Sequence, residues 1–225
     1  MFGAAVLRQV KRIVAGLDPK TFKSSASELS DLVNLYGANS QAFLIACLLD
    51  AVDLSHGAAS EADQLYLTLL GHELGRALGK ANFVDIVLEA FRHLAALKAR
   101  AGAALRVDEA YVGRISTALR LPLGQRVALA AALSYLADTD VALAAQRLLE
   151  NLLREHLAAR SANTEGGALG AAPALPEPLL YAALGVVTAP GGHTFDAQLA
   201  RDLRAAAGSS STTNGSGGNG GGGGG

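Results

Sequence analysis

Apolar residues recur along this chain at spacings of three and four, the period of one helix face, and polar or glycine-bearing breaks separate each stripe from the next. A first helix over about Ala4 to Ala15 carries Val6, Leu7, Val10, Ile13 and Val14 and stops at Gly16, before an Asp18-Pro19 turn. Ser25 and Glu28 have capping-box spacing, in which the hydroxyl accepts from the amide three residues on and the carboxylate reaches back. They predict a second helix with Leu29, Leu32, Val33 and Tyr36 on one side and Gly37 as its left-handed stop. A third follows Asn39-Ser40 and runs through Phe43, Leu44, Cys47 and Leu48 to Val52. His56-Gly57 then breaks the chain before a fourth helix, capped by Ser60, which carries Leu67, Leu70, Leu74 and Leu78 and ends at Gly79.

The second half repeats the pattern. Asn82 caps a fifth helix with the stripe Phe83, Ile86, Val87, Ala90, Phe91, Leu94 and Leu97. Asp108 opens a sixth through Tyr111, Val112, Ile115 and Leu119, and Pro122 is an early position of a seventh with Val127, Leu133 and Leu136. Asp138 or Asp140 opens an eighth through Val141, Leu148, Leu149, Leu152 and Leu153. From Ser161 to Leu175 the composition turns to Ala, Gly and Pro, which reads as a flexible connection. Two weaker helices follow, about Glu177 to Val187 and, after Thr194, Phe195 to Ala206.

No convincing strand is legible, so the expected class is all-α, with about ten short amphipathic helices. Short antiparallel pairs laid side by side bury their stripes only against neighbours, the sign of an α-solenoid of the irregular HEAT or armadillo type. A compact irregular bundle is the alternative. The expected organisation is a helical core over 1–160, an Ala/Gly/Pro linker over 161–176, two further helices of the same domain over 177–207 and a disordered Gly/Ser tail over 208–225.

Composition sharpens this picture. Half of the 225 residues are apolar but only 5% are aromatic, and Trp is absent, which favours close helix packing over wide cavities. A formal charge of −1 argues against a dedicated nucleic-acid binder. The single cysteine, Cys47, excludes an internal disulfide and a Cys-based metal site, and its apolar setting predicts a buried inert thiol. The longest clean apolar run, Val127 to Ala137, falls short of the roughly 20 residues of a membrane helix. The first 23 residues carry five basic groups and one acid, which imitates an organelle transit peptide, although the same stripe suits a core.

Candidate chemistry is thin. His72-Glu73 opens like the zinc-protease pattern, but Arg76 stands where the second ligand would be. His93 forms a polar line with Asp85 and Glu89, and His156 is placed near a helix C-terminus, where an imidazolium meets the dipole favourably. No two of the five histidines, His56 and His193 included, have useful metal spacing. Gly215 to Gly220 matches the dinucleotide-binding glycine pattern in letters only, since no strand precedes it and no helix follows. Neither a phosphate-binding loop nor a nucleophile-elbow serine occurs, so no catalytic residue, metal ligand or cofactor is expected. Arg106, Arg114, Arg120 and Arg126 fall around one helix pair and form either a basic edge or an ordinary solvated face. Tyr66, Tyr111, Tyr181 and Arg114 are the candidate partner contacts, because Tyr and Arg are enriched at binding hot spots; core packing is the competing explanation for each tyrosine.

The order of elements resembles the N-terminal helical region of the large scaffold subunit, subunit one, of the CCR–NOT mRNA deadenylase complex. The residues that carry it begin with Leu17, Lys20, Phe22, Ser25 and Glu28, followed by Val33-Asn34 and Tyr36-Gly37. Cys47-Leu48, Val52-Asp53, Ser55, Gln64 and Leu67 come next, then Lys80, Asn82-Phe83 and Ala90. Ile115 to Leu121, Gln125, Leu133 and Ala145 to Leu153 continue it, and Leu179 to Gly185, Phe195, Leu199, Asp202 and Leu203 close it. It spans about Leu7 to Ala206 and departs over Ser161 to Leu175. The resemblance implies a non-enzymatic HEAT-like scaffold fragment that docks accessory subunits ten and eleven, within machinery for poly(A) shortening, mRNA decay and translational repression. It implies a chain found in the cytoplasm, P-bodies included, and in the nucleus, without a membrane, direct nucleic acid or a small-molecule ligand. An unrelated HEAT or armadillo adaptor and a helical RNA-binding module are the alternatives.

Overall fold

The structure is a computed structural model, and it describes residues 4–52, 61–105, 107–136, 139–165, 175–189 and 193–210. The described residues form helices joined by turns, with no strand among them, so the all-α expectation holds. In chain order the helices are α1 (Ala4–Ala15), α2 (Phe22–Tyr36), α3 (Ala38–Ala51), α4 (Glu61–Leu78) and α5 (Phe83–Arg100). They continue with α6 (Glu109–Ala118), α7 (Leu123–Leu133), α8 (Thr139–Glu165), α9 (Glu177–Thr188) and α10 (Ala197–Ser210).

Odd-numbered helices form one continuous row: α1 packs on α3, α3 on α5, α5 on α7 and α7 on α9. The α3–α5 contact is the most extensive in the chain. Even-numbered helices lie against this row, α2 on α3, α4 on α5, α8 on α7 and α10 on α9, while α6 rests on α8. This repeat-like order explains the burial. Helix α3 has neighbours on several sides and buries ten residues in succession, Ser40 to Leu49, including two polar ones. Its Leu44, Ile45 and Leu48 are fully buried, each contributing about 2 kcal/mol of apolar transfer free energy. Likewise α7 is buried from Val127 to Leu133 without a polar face. By contrast α10 buries only Leu199 and Leu203 among its described side chains.

Several helix boundaries differ from expectation for local reasons. Helix α2 begins at Phe22, not Ser25: an Asp18–Thr21 turn, in which the Asp18 carboxylate accepts from the Lys20 amide at 2.7 Å, leads straight into it. Glu28 is consequently free of any capping role and accepts from Gln9 Nε2 of α1 at 2.9 Å. Helix α3 starts immediately after Gly37, whose φ of 71° ends α2, and Ser40 Oγ donates to the Gly37 carbonyl at 2.7 Å. The apolar run that begins at Val127 leaves the helix at Leu133, where α7 closes, and Ser134 to Leu136 are not helical. Helix α8 continues to Glu165, past Ser161 into the stretch expected as linker, and α10 reaches Ser210, into the expected tail. The capping roles assigned to Ser60 and Asp138, the His56-Gly57 break, Arg106, Gly215 to Gly220, the remainder of the linker and the remainder of the tail lie outside the described residues.

Candidate functional site

Three helix starts meet at one cleft. Gly79 ends α4, its amide donating to the Gly75 carbonyl at 3.2 Å, and a short turn in which the Phe83 amide donates to the Lys80 carbonyl leads into α5. Pro122 precedes α7 and accepts from the Arg126 amide at 3.0 Å; Pro176 precedes α9 and accepts from the Leu180 amide at 3.0 Å. Proline fits both positions because its fixed φ matches the entry to a helix and no amide hydrogen is lost there. Between these starts, and against the flank of α8, lies a cleft of about 580 Å³.

Its walls are apolar, chiefly Leu78, Phe83, Leu123, Leu175 and Leu179. Its polar members are few: Lys80, Gln125 and His156. The Lys80 ammonium donates to Gln41 Oε1 at 2.6 Å and has no ion-pair partner among the described residues. The first-turn amides of a helix have no carbonyl within it to bond, so each start adds partial positive charge. Glu177 and Asp85 stand in the first turns of α9 and α5, but both are exposed and neither lines the cleft.

His156 is the residue here whose expected role is corrected. Because α8 extends to Glu165, His156 sits inside the helix, only 3% exposed, rather than at a C-terminus. Burial, and then the charge of Arg160, pushes its pKa below the ordinary 6.5, so the ring is neutral at pH 7. Its Nε2 has no hydrogen-bond partner among the described residues. Sequence reading passed over both Lys80 and His156 as site residues. Pro122 was visible as an early helix position, but residues 122, 156 and 176 are too far apart in the chain for spacing to reveal that they converge.

The candidate partner contacts fall in different places. Tyr111 is half-buried against the core, and desolvation pushes its hydroxyl up to about 12. The exposed Arg114 places its guanidinium 5.9 Å from the Tyr111 ring centre, a cation–π distance, so these two do come together on α6. Tyr66 is half-buried on α4, whereas Tyr181, on α9, is 58% exposed. Of the arginine edge, Arg126 pairs with Glu155 at 3.6 Å and, with Arg120, borders a second, more polar hollow of about 390 Å³.

His72 and Arg76 both hold Glu73, at 3.0 and 3.3 Å, and Glu73 is 1% exposed. The trio therefore serves a buried carboxyl. His93 contacts Glu89 at 3.5 Å and the edge of Phe43, with ring centres 5.2 Å apart. Cys47 is buried, and burial pushes its thiol up to about 12. Among the described residues no group of three or more His, Cys, Asp or Glu could hold a metal ion, and no helix is long and apolar enough to cross a membrane. No family model matches the sequence.

Proposed function

We propose that this chain is a non-enzymatic docking scaffold, an α-solenoid of HEAT or armadillo type whose neighbouring helix pairs present an extended surface to protein partners. The observation that supports this reading is the unbroken row α1–α3–α5–α7–α9, flanked by even-numbered helices. Such stacking lets a partner bury a standard-sized interface without a deep pocket. The fragment resemblance adds the finer assignment: the accessory-subunit-docking region of CCR–NOT subunit one, acting in poly(A) shortening and translational repression by holding partners at high effective concentration. Tyr181 and Arg114 are the contacts this reading favours, since both are exposed.

A pulldown of the folded chain with purified subunits ten and eleven tests the assignment. Retention of the pair is expected, and Tyr181→Ala should reduce it at least about fivefold, the effect of one hot-spot residue. Loss of the pair from a sample with intact helical circular dichroism overturns the CCR–NOT assignment. Capture of other proteins instead supports an unrelated adaptor.

A further inference from the structure

We propose that the cleft where α5, α7 and α9 begin is a binding site for a small apolar monocarboxylate. The carboxylate would lie beside Lys80 and the first amides of α7, with the hydrocarbon body against Phe83, Leu123, Leu175 and Leu179. This assignment is independent of the scaffold reading and runs against the expectation that the chain has no small-molecule ligand.

Four observations converge on that chemistry. The volume of about 580 Å³ lies within the range of small-molecule sites, and the lining combines apolar walls with a few polar groups. The head of the ligand is specified as anionic: Lys80 is a cation with no carboxylate paired to it among the described residues, and the helix starts reinforce its field. The body is specified as apolar by the leucines and by Phe83, itself 2% exposed. Finally, His156 borders the same cleft with an unpartnered Nε2, and a buried polar atom without a partner carries a desolvation cost that a hydrogen-bonding ligand would remove. A single small anion answers all four, whereas a polyanion such as RNA would find one lysine and no arginine in the lining.

Decanoate titrated into the full chain by isothermal calorimetry is the direct test, with decanol as the uncharged control of equal length. The expected result is saturable one-to-one binding of decanoate, at least about tenfold tighter than decanol. Lys80→Gln retains a polar partner for Gln41 and should weaken decanoate at least about fivefold while leaving decanol unchanged. Gly124→Leu, whose Cβ would sit 3.9 Å from Leu175, should fill the cleft and abolish binding of both without loss of helical signal. Saturation with decanoate should also move the NMR ring signals of His156 and not those of His72, whose side chain is 61% exposed. Equal affinity for decanol and decanoate, binding unaffected by Gly124→Leu, or no saturable binding at millimolar decanoate would each overturn the proposal.

Discussion

Two polar junctions tie helices together at opposite ends of the chain, and they differ in their access to water. Toward the amino terminus, Gln41 of α3 is fully buried and bridges three groups. Its Nε2 donates to the backbone carbonyl and the carboxyl Oε2 of Glu73, each at 3.2 Å, and its Oε1 accepts from Lys80 at 2.6 Å. Toward the carboxyl terminus, Glu150 of α8 contacts His193 Nε2, Arg154 donates to Glu150 at 2.6 Å, and the His193 amide donates to Gln146 at 2.9 Å. Here the Glu150 and His193 side chains are 14% and 22% exposed, and Arg154 is 57% exposed. Both junctions join residues distant in sequence, the first linking α3 to α4 and the turn after it, the second linking α8 to the segment before α10. When Gln41 is lost from the first, the Glu73 carboxyl stays dry, although the half-buried Lys80 reaches water; in the second, water can replace a lost partner. Burial rather than the number of bonds should therefore set how much each contributes.

The largest expected effect follows from deleting the dry bridge. Gln41→Leu keeps the side-chain volume but leaves Glu73 Oε2 without its donor and Lys80 without its acceptor, so chemical denaturation should show a loss of about 3 kcal/mol. The double variant Gln41→Leu/Glu73→Leu removes both polar groups and should recover more than half of that loss, since well-packed apolar replacements of buried polar pairs are often neutral. A double variant no more stable than Gln41→Leu alone would show that the cost lies in packing, and would break the contrast between the junctions.

At the wetter junction the effect should be smaller and dependent on pH. The His193 hydrogen bond chiefly, and Arg154 further, hold Glu150 below the ordinary 4.5 against the opposing effect of burial. The folded chain therefore binds this proton less readily than the unfolded one. The junction's electrostatic contribution is complete above about pH 4.5 and is lost as pH falls through the lowered folded value. Glu150→Gln should cost about 1 kcal/mol at pH 7, discounted for partial exposure, with the difference from wild type shrinking below pH 4.5. A constant difference between pH 7 and pH 3 would mean that ionisation of Glu150 is not what holds the junction.

How much of this was legible in the sequence depended on distance along the chain. All seven stripe positions of α5, Phe83 to Leu97, are buried, and Asp108 caps α6 by accepting from the Tyr111 amide at 2.6 Å. Both are local patterns, complete within one or two turns. The Ser25–Glu28 box failed because an upstream turn already started the helix and Gln9 claimed the carboxylate. The end of α8 was missed for a compositional reason: Ser161, Asn163 and Thr164 are weak helix formers and read as the start of the linker, yet the helix already under way runs through them to Glu165. Neither Gln41 nor Lys80 could be singled out as a bridge, because their partners lie 32 and 39 residues away and a polar residue in an apolar run carries no mark of what satisfies it. The convergence of Pro122, His156 and Pro176 was hidden for the same reason.

The smallest expected effect concerns α6, which lies between the two junctions in the chain and ends in a conformation its sequence does not favour. The Leu121 amide donates to the Ser116 carbonyl at 2.9 Å and the Arg120 amide to Thr117 at 3.1 Å, the paired bonds of a left-handed helix stop. At Gly37 the chain also takes a positive φ, 71°, with an extended ψ of −152° that glycine tolerates, but here Arg120 takes a positive φ of 50°. A residue with a Cβ is strained in this region by about 1 kcal/mol, and the greater freedom of glycine in the unfolded chain offsets part of the relief. Arg120→Gly should therefore stabilise by about 0.5 kcal/mol, seen as a higher urea midpoint with an unchanged slope. Gly37→Ala, with nothing within 4 Å of the added carbon, should lose about 1 kcal/mol through the backbone alone. If Arg120→Gly instead destabilises, the guanidinium contributes more at the polar hollow it shares with Arg126 than its backbone costs, and local strain at α6 is then held in place by side-chain electrostatics at a partly wet site, as at the Glu150 junction, rather than by buried hydrogen bonds, as around Gln41.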